Sequence, residues 1–237
     1  MFMKDIELWH GDCLELMSQI PDKSIDMVLT DPPYLINYKT GFRKDKSHKF
    51  CTVINGDNDF GLIKAYIKEC FRIMKENSAI YMFCNSEHID FFKSELEKYF
   101  KIKNIIVWVK NNWSAGDLEN AFGKQYEFMI YASKGLSKIR GKRFSDVWYF
   151  DRVAGNDLVH QNQKPIPLLK QAILSSSDRG GVIFDGFMGS GSTGVACKVT
   201  ERKFIGIEID NEYFNIAKQR IENGYVQEEI KTDFPLF

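Results

Sequence analysis

Short apolar runs without alternation recur along this chain, separated by longer stretches whose apolar residues return every three or four positions. Ile25 to Thr30 reads IDMVLT and Ala79 to Cys84 reads AIYMFC. Runs of this kind predict strands buried on both faces, as in a parallel sheet. Ile6 to His10, Ile105 to Val109, Gln125 to Ala132, Val182 to Phe184 and Phe204 to Ile207 predict further strands. Between them, Ile63, Ile67, Cys70, Phe71 and Met74 mark one face of a helix over Phe60 to Glu76. Helical spacing also predicts Cys13 to Ile20, stopped by Pro21, a helix carrying Ile89, Phe92, Leu96 and Tyr99, and a last one carrying Ile216, Ala217 and Ile221. Pro165 stands where prolines favour a helix start, ahead of Leu168, Leu169, Ala172 and Ile173. The alternation of elements predicts an α/β fold, a mostly parallel sheet with helices on both faces.

Composition narrows the picture without deciding it. The 237 residues are 44% hydrophobic and 14% aromatic, enough for a full core in a single domain over 1–237. Thirty-two basic residues balance 32 acidic ones, so any polyanion would have to be met by local patches. The cysteines, Cys13, Cys51, Cys70, Cys84 and Cys197, are odd in number and form no C-x-x-C pair, which argues against a disulfide framework or a zinc site and for a reducing cytoplasm. No apolar run approaches the roughly 18 residues of a membrane span, and the start, MFMKDIELWHGD, lacks a signal-peptide core. Neither a metal nor a membrane is expected.

Candidate chemistry gathers at strand ends. Asp31-Pro32-Pro33-Tyr34 closes the run from Ile25. Two prolines remove two backbone donors and end the ladder, yet leave carbonyls free to accept. A carboxylate before them and an aromatic ring after them suit a planar ring held by an exocyclic amino group. Downstream, Asp185-Gly-Phe-Met-Gly-Ser-Gly-Ser-Thr-Gly194 follows another apolar run, and Gly189, Gly191 and Gly194 fit G-x-G-x-x-G. In the context strand, glycine turn, helix, that pattern points to a nucleotide-type cofactor. Glu208 closes the next strand, near the spacing of about 20 residues at which such folds place a ribose-binding acid. Asp12, Asp31, Asp185 and Glu208 all stand at carboxyl ends of predicted strands, the edge where open α/β sheets bind ligands. A helix N-cap is the ordinary use of any one of them; four together indicate one cleft.

In this order the motifs resemble those of the β-class DNA amino-methyltransferases, whose catalytic motif precedes the glycine motif. The resemblance spans residues 5 to 222. It includes Gly11-Asp12, Trp108-Val-Lys-Asn-Asn112, Gln125-Tyr-Glu-Phe and His160-Gln-Asn-Gln-Lys-Pro165. Two positions depart from the usual family pattern: Gly186 stands where Pro is usual, and Gln161-Asn162 where Pro-Thr is usual. The resemblance implies a Rossmann-like fold and S-adenosylmethionine as cofactor. Glu208 would take the ribose hydroxyls, Asp12 the adenine amino group and Lys164 the methionine carboxylate. Asp31 would lie near the ammonium, and Asp185, Phe187, Gly189, Ser190 and Gly191 would form the turn around it. Asp31, Pro32, Pro33 and Tyr34 would be catalytic toward the N6 amine of adenine in double-stranded DNA.

The segment at about 111–159 occupies the place of the family's target-recognition region, and only Gly135 to Val159 lacks a core-like pattern, so a short recognition site is expected. Basic residues in two runs, Lys39, Arg43 and Lys44, then Lys138, Arg140, Lys142 and Arg143, are expected to meet phosphates at the catalytic mouth. A homodimer stays open. Cytosine-N4 methylation is the near alternative, though family members of that kind usually begin the tetrapeptide with Ser. A nucleotide-binding oxidoreductase would leave Asp31-Pro-Pro-Tyr34 unexplained, and an inactive DNA-binding paralogue would not need it.

Overall fold

The computed structural model describes residues 5–35, 59–113, 119–153 and 163–223. Eight strands form one sheet: β1 (Ile6–His10), β2 (Ile25–Thr30), β3 (Met74–Cys84), β4 (Lys101–Val109), β5 (Tyr126–Lys134), β6 (Val147–Tyr149), β7 (Val182–Asp185) and β8 (Lys203–Glu208). Their spatial order is β1-β8-β7-β2-β3-β5-β4-β6. Neighbours are parallel except around β5, which runs antiparallel to both β3 and β4. The expected mostly parallel sheet is therefore present.

Among the described residues six helices cover it: α1 (Cys13–Met17), α2 (Phe60–Ile73), α3 (Ile89–Glu97), α4 (Ile166–Ser176), α5 (Ser192–Val199) and α6 (Asn211–Asn223). Met17, Ile63, Ile67 and Phe92 of α1 to α3 pack with Val28, Ile80 and Met82 in one core. Leu169, Val195 and Ala217 of α4 to α6 pack with Leu29, Tyr81 and Phe83 in the other. Successive strand side chains point to opposite faces, so a central strand covered on both sides must be apolar at every position. That requirement is why β2 and β3 show no alternation.

Element ends differ from expectation where a tertiary contact decides them. Helix α2 stops at Ile73 rather than Glu76, because Met74 turns extended (φ −74, ψ 138). Lys134, the last residue of β5, donates its Nζ to the carbonyls of Phe71 at 2.7 Å and Met74 at 2.8 Å, capping the helix from another element. Pro165 is the N-cap of α4, so the helix begins one residue later. Helix α1 ends at Met17, and a turn carries the chain to Ile20, which is still buried. β6 has no counterpart in the sequence pattern. It is a three-residue strand beside β4 that buries Trp148, so this aromatic is core and Tyr149 is the exposed one.

Candidate active site

Strand order fixes which acids meet. β1, β8, β7 and β2 are consecutive neighbours, so their carboxyl ends present Asp12, Glu208, the glycine turn after Asp185, and Asp31 side by side. With strands ~4.8 Å apart, those four termini span roughly 15 Å, room for a ligand laid across the edge.

The glycine turn is held from several sides. Asp185 is 2% exposed. Its Oδ1 accepts from the Thr30 hydroxyl at 2.9 Å and the Phe187 amide at 3.1 Å, and its Oδ2 accepts from the Thr193 hydroxyl at 2.7 Å. Burial pushes this carboxyl up to about 7, with the three donors opposing. Its use is to shape the turn from within. Tyr66 of α2 extends the network, donating to Thr30 Oγ1 at 3.0 Å and accepting from the Gly186 amide at 3.1 Å. Gly186 is thereby explained: a Cβ there would lie 2.4 Å from Tyr66 Cε2, and a proline would have no N–H to donate. Phe187 packs edge-on against the same ring, with centroids 4.7 Å apart.

Gly191, with φ +81, is the N-cap of α5, a conformation that favours glycine. A Cβ would also meet that of Ala217 on α6 at 2.9 Å, so close helix packing demands glycine here as much as any ligand would. Ser190 is buried, and its carbonyl and hydroxyl accept from Arg220 Nη1 at 2.5 and 2.8 Å. Glu208 accepts from the Gly189 amide through Oε2 and from the Asp210 amide through Oε1, both at 2.8 Å. Burial raises its carboxyl above the ordinary value. Each oxygen keeps a further lone pair, so the pair can still receive two hydroxyls. Asp12 caps α1, accepting the Leu14 and Glu15 amides at 2.8 and 3.1 Å through Oδ1 alone, which leaves Oδ2 as an acceptor.

At the other end of the row lies a compact charge cluster. Lys164, 6% exposed, places Nζ 2.6 Å from Asp31 Oδ2 and 3.1 Å from Glu127 Oε2. The Tyr34 hydroxyl lies 2.7 Å from Asp31 Oδ1 and 3.1 Å from Glu127 Oε2. Lys110 holds Glu127 Oε1 at 2.6 Å. Burial pushes the Asp31 carboxyl up, opposed by Lys164 and reinforced by Glu127. Burial opposes the charge on Lys164, but Asp31 and Glu127 together hold its ammonium above the ordinary value. Glu127, despite burial, is brought down to about 2 by Lys164 and Lys110. Tyr34 is raised well above the ordinary phenol by burial and keeps its proton. The turn beneath is pinned by Leu35, whose φ of 63 is unusual for a leucine and whose side chain is buried.

The second basic run is not at this mouth, contrary to expectation. β5 runs antiparallel, so the chain leaves Lys134 at the amino edge of the sheet, opposite Ser78. Arg140 donates its amide to the Ser175 carbonyl at the end of α4 and its guanidinium to Asp178 at 2.6 and 2.8 Å. Six strand residues, or ~20 Å, separate that edge from the carboxyl edge. Lys39, Arg43 and Lys44, like His160 to Asn162, lie outside the described residues. Sequence reasoning gave no role to Glu127, Lys110 or Tyr66. The signal for Glu127 was available: a lone acid in the apolar strand YEFMIYA needs a partner to be buried.

A family model described as DNA methylase matches residues 25–219. The chain is 31% identical to the type II methyltransferase M2.LlaDCHI of Lactococcus lactis subsp. cremoris, over 92% of this chain and 89% of that protein. It is 29% identical to the DNA adenine methyltransferase YhdJ of Escherichia coli (strain K12), over 93% of this chain and 85% of that protein. Among solved structures, the M1.HpyAVI–SAM complex matches with a TM-score of 0.71 and 28% identity, covering 90% of this chain and 98% of that one.

Proposed function

This chain belongs to the DNA methylase family, and on that premise we propose that it methylates the exocyclic N6 amine of adenine in double-stranded DNA, with S-adenosylmethionine as donor. The observation that carries the reading is the adjacency of Asp31 and Tyr34 to the glycine turn and Glu208 along one sheet edge.

The residues fit the cofactor. Glu208 keeps acceptor capacity for two ribose hydroxyls, Asp12 keeps Oδ2 for an amino group, and Lys164 is a buried cation suited to a carboxylate. When bound, S-adenosylmethionine supplies a methyl group made electrophilic by its sulfonium. The protein's part is to make a poor nucleophile aim and react. The lone pair of an aromatic amine is delocalised into the ring. Asp31 accepting one N–H, and the Pro32 carbonyl the other, would let the nitrogen pyramidalise. Positive charge then develops beside the Asp31 carboxylate, so stabilisation is greatest in the transition state. Asp31 need not be a strong base, because the amine proton turns acidic only once the methyl is attached. A paired adenine hides this amine, so the base must leave the duplex and rest against Tyr34.

Recognition is assigned to the connections that emerge at the carboxyl edge, from Lys110 to Gln125 and after β6, while β5 and β6 themselves are sheet. No helix among the described residues is long and apolar enough to cross a membrane. A homodimer is consistent with this reading, and sedimentation would decide it.

The test is incubation with methyl-labelled S-adenosylmethionine and double-stranded DNA, followed by digestion to nucleosides. Label in N6-methyladenine is expected. Label in N4-methylcytosine would overturn the choice of base and keep the chemistry. No label from a folded protein on DNA of mixed sequence would overturn the function.

A further inference from the structure

Asp31 has two oxygens, and both are engaged: Oδ1 by the Tyr34 hydroxyl and Oδ2 by Lys164. Each oxygen keeps a further lone pair, but a carboxylate whose charge is already taken by an ammonium and a phenol is a weak acceptor for a substrate amine unless one of them moves away. An ammonium or phenol turned out of its bond inside a buried site is costly unless another acceptor is ready. Glu127 Oε2 is that acceptor, 3.1 Å from Lys164 Nζ and 3.1 Å from the Tyr34 hydroxyl. Its second oxygen is anchored by Lys110 at 2.6 Å, which fixes the direction of Oε2. Lys110 is itself steadied over the Trp108 ring, 5.0 Å from the centroid.

Resting on the methyltransferase reading above, we propose that Glu127 is a positioning residue for the transfer, receiving Lys164 and Tyr34 as Asp31 turns to the substrate amine. Asp31 and Glu127 compete for one lysine. With Glu127 in place, Lys164 can leave Asp31 without losing a charged partner, and Asp31 is released as an acceptor. Without it, Asp31 is the one protein carboxylate left of the two that hold Lys164, and the amine meets a carboxylate whose charge is already shared. Lys110 completes the device, because a Glu127 free to rotate would present Oε2 to neither group.

The groups facing Asp31 are Lys164 from the segment before α4, Tyr34 from its own turn, Glu127 from β5, the Cys84 thiol of β3 and the Asp185 carboxyl at the end of β7. Removing the Glu127 charge deletes a repulsion that raises the Asp31 carboxyl and strengthens its pairing with Lys164. Both changes favour ionised Asp31 at lower pH. The acid limb of kcat/KM, which reports the free enzyme, therefore moves down in pH while the maximal rate falls.

The experiment is steady-state methyl transfer by Glu127→Gln on DNA, with fold checked by circular dichroism. Expected are a kcat at least tenfold below wild type at saturating cofactor and DNA, and an acid limb displaced to lower pH. A merely structural glutamate would lower the melting temperature and leave kcat of the folded variant within threefold of wild type. Glu127→Asp keeps the charge but draws the acceptor back by one methylene; it covers the case in which Glu127→Gln does not fold. It should lose at least threefold in kcat with the limb unmoved. An active wild type with a folded Glu127→Gln within threefold in kcat, or a folded Glu127→Asp at full rate, overturns the inference. A wild type that transfers no methyl group refutes the function itself, so the two failures are distinct.

Discussion

Replacing Gly186 by alanine and by proline gives a prediction whose size follows from the geometry. The added Cβ would sit 2.4 Å from Tyr66 Cε2 and 2.9 Å from its hydroxyl. Tyr66 is fully buried between Phe184 and Phe187, so its ring cannot swing aside. Overpacking of this kind costs about 1–3 kcal/mol, and Gly186→Ala should lose that much. Gly186→Pro suffers the same clash and also removes the N–H that Tyr66 accepts at 3.1 Å, a further ~0.5–1.5 kcal/mol. Asp185, as a strand residue, already has the extended backbone that a following proline prefers. Each kcal/mol moves the melting midpoint by roughly 2–4 °C in a domain of this size. The decisive assay is urea denaturation of both variants in wild-type and Tyr66→Phe backgrounds. In wild type, proline should be the worse residue. In Tyr66→Phe the amide has lost its acceptor, so proline deletes an orphan donor and should become the better of the two. A proline penalty equal in both backgrounds, or Gly186→Ala within about 0.5 kcal/mol of wild type, would refute the account of why glycine stands here.

Asp31→Ala should lose at least ~10²-fold in kcat at saturating cofactor while circular dichroism stays native, because an oriented electrostatic partner is gone; activity within tenfold of wild type contradicts the mechanism. Glu208→Ala should weaken S-adenosylmethionine binding at least tenfold by calorimetry, the loss of charge-assisted bonds worth about 1.5–3 kcal/mol. Neutralising Lys138, Arg140, Lys142 and Arg143 together should leave the salt dependence of DNA binding unchanged; a slope flattened by about 0.9 per residue would place phosphates at the amino edge after all. Asp185, held up to about 7 against an ordinary 3.8, keeps in the folded state a proton that the unfolded chain gives up, so its contribution to stability is whole below about pH 4 and is lost as pH rises through 7. Asp185→Asn should flatten the melting-temperature profile over that window, and an unchanged profile would mean the carboxyl titrates normally.

The fold was legible because each buried strand had to be apolar on both faces. β1 and β2 begin and end where their apolar runs do, and α6 carries Ala217 and Ile221 inward as their spacing indicates. What local pattern could not supply was the end of α2, set by Lys134 arriving from β5, or β6, whose three residues form a strand only because β4 offers an edge. The placement of the second basic run failed for a related reason. A run that follows a strand leaves from whichever edge that strand ends on, and β5 is the one strand reversed against its neighbours. Position within the segment at about 111–159 therefore said nothing about proximity to the catalytic mouth.

The charge cluster shows where such reading stops. Lys164 and Asp31 are 133 residues apart, yet their atoms meet at 2.6 Å. Lys110 and Glu127 are separated by 17 residues and meet only because Trp108 pairs with Glu127 across the antiparallel ladder. A one-residue slip of β5 would send Glu127 to the opposite face, leaving Lys110 and Lys164 without it and Asp31 as the only carboxylate against both. Register in β5 is set by its apolar residues: Met129 and Tyr131 belong to one core, Ile130 and Ala132 to the other. The packing of residues with no chemistry of their own thus decides which carboxylate receives Lys164, and so whether Asp31 can be released to an amine. A substitution at Ile130 that shifted the ladder should reduce transfer through Glu127 before it unfolded the protein.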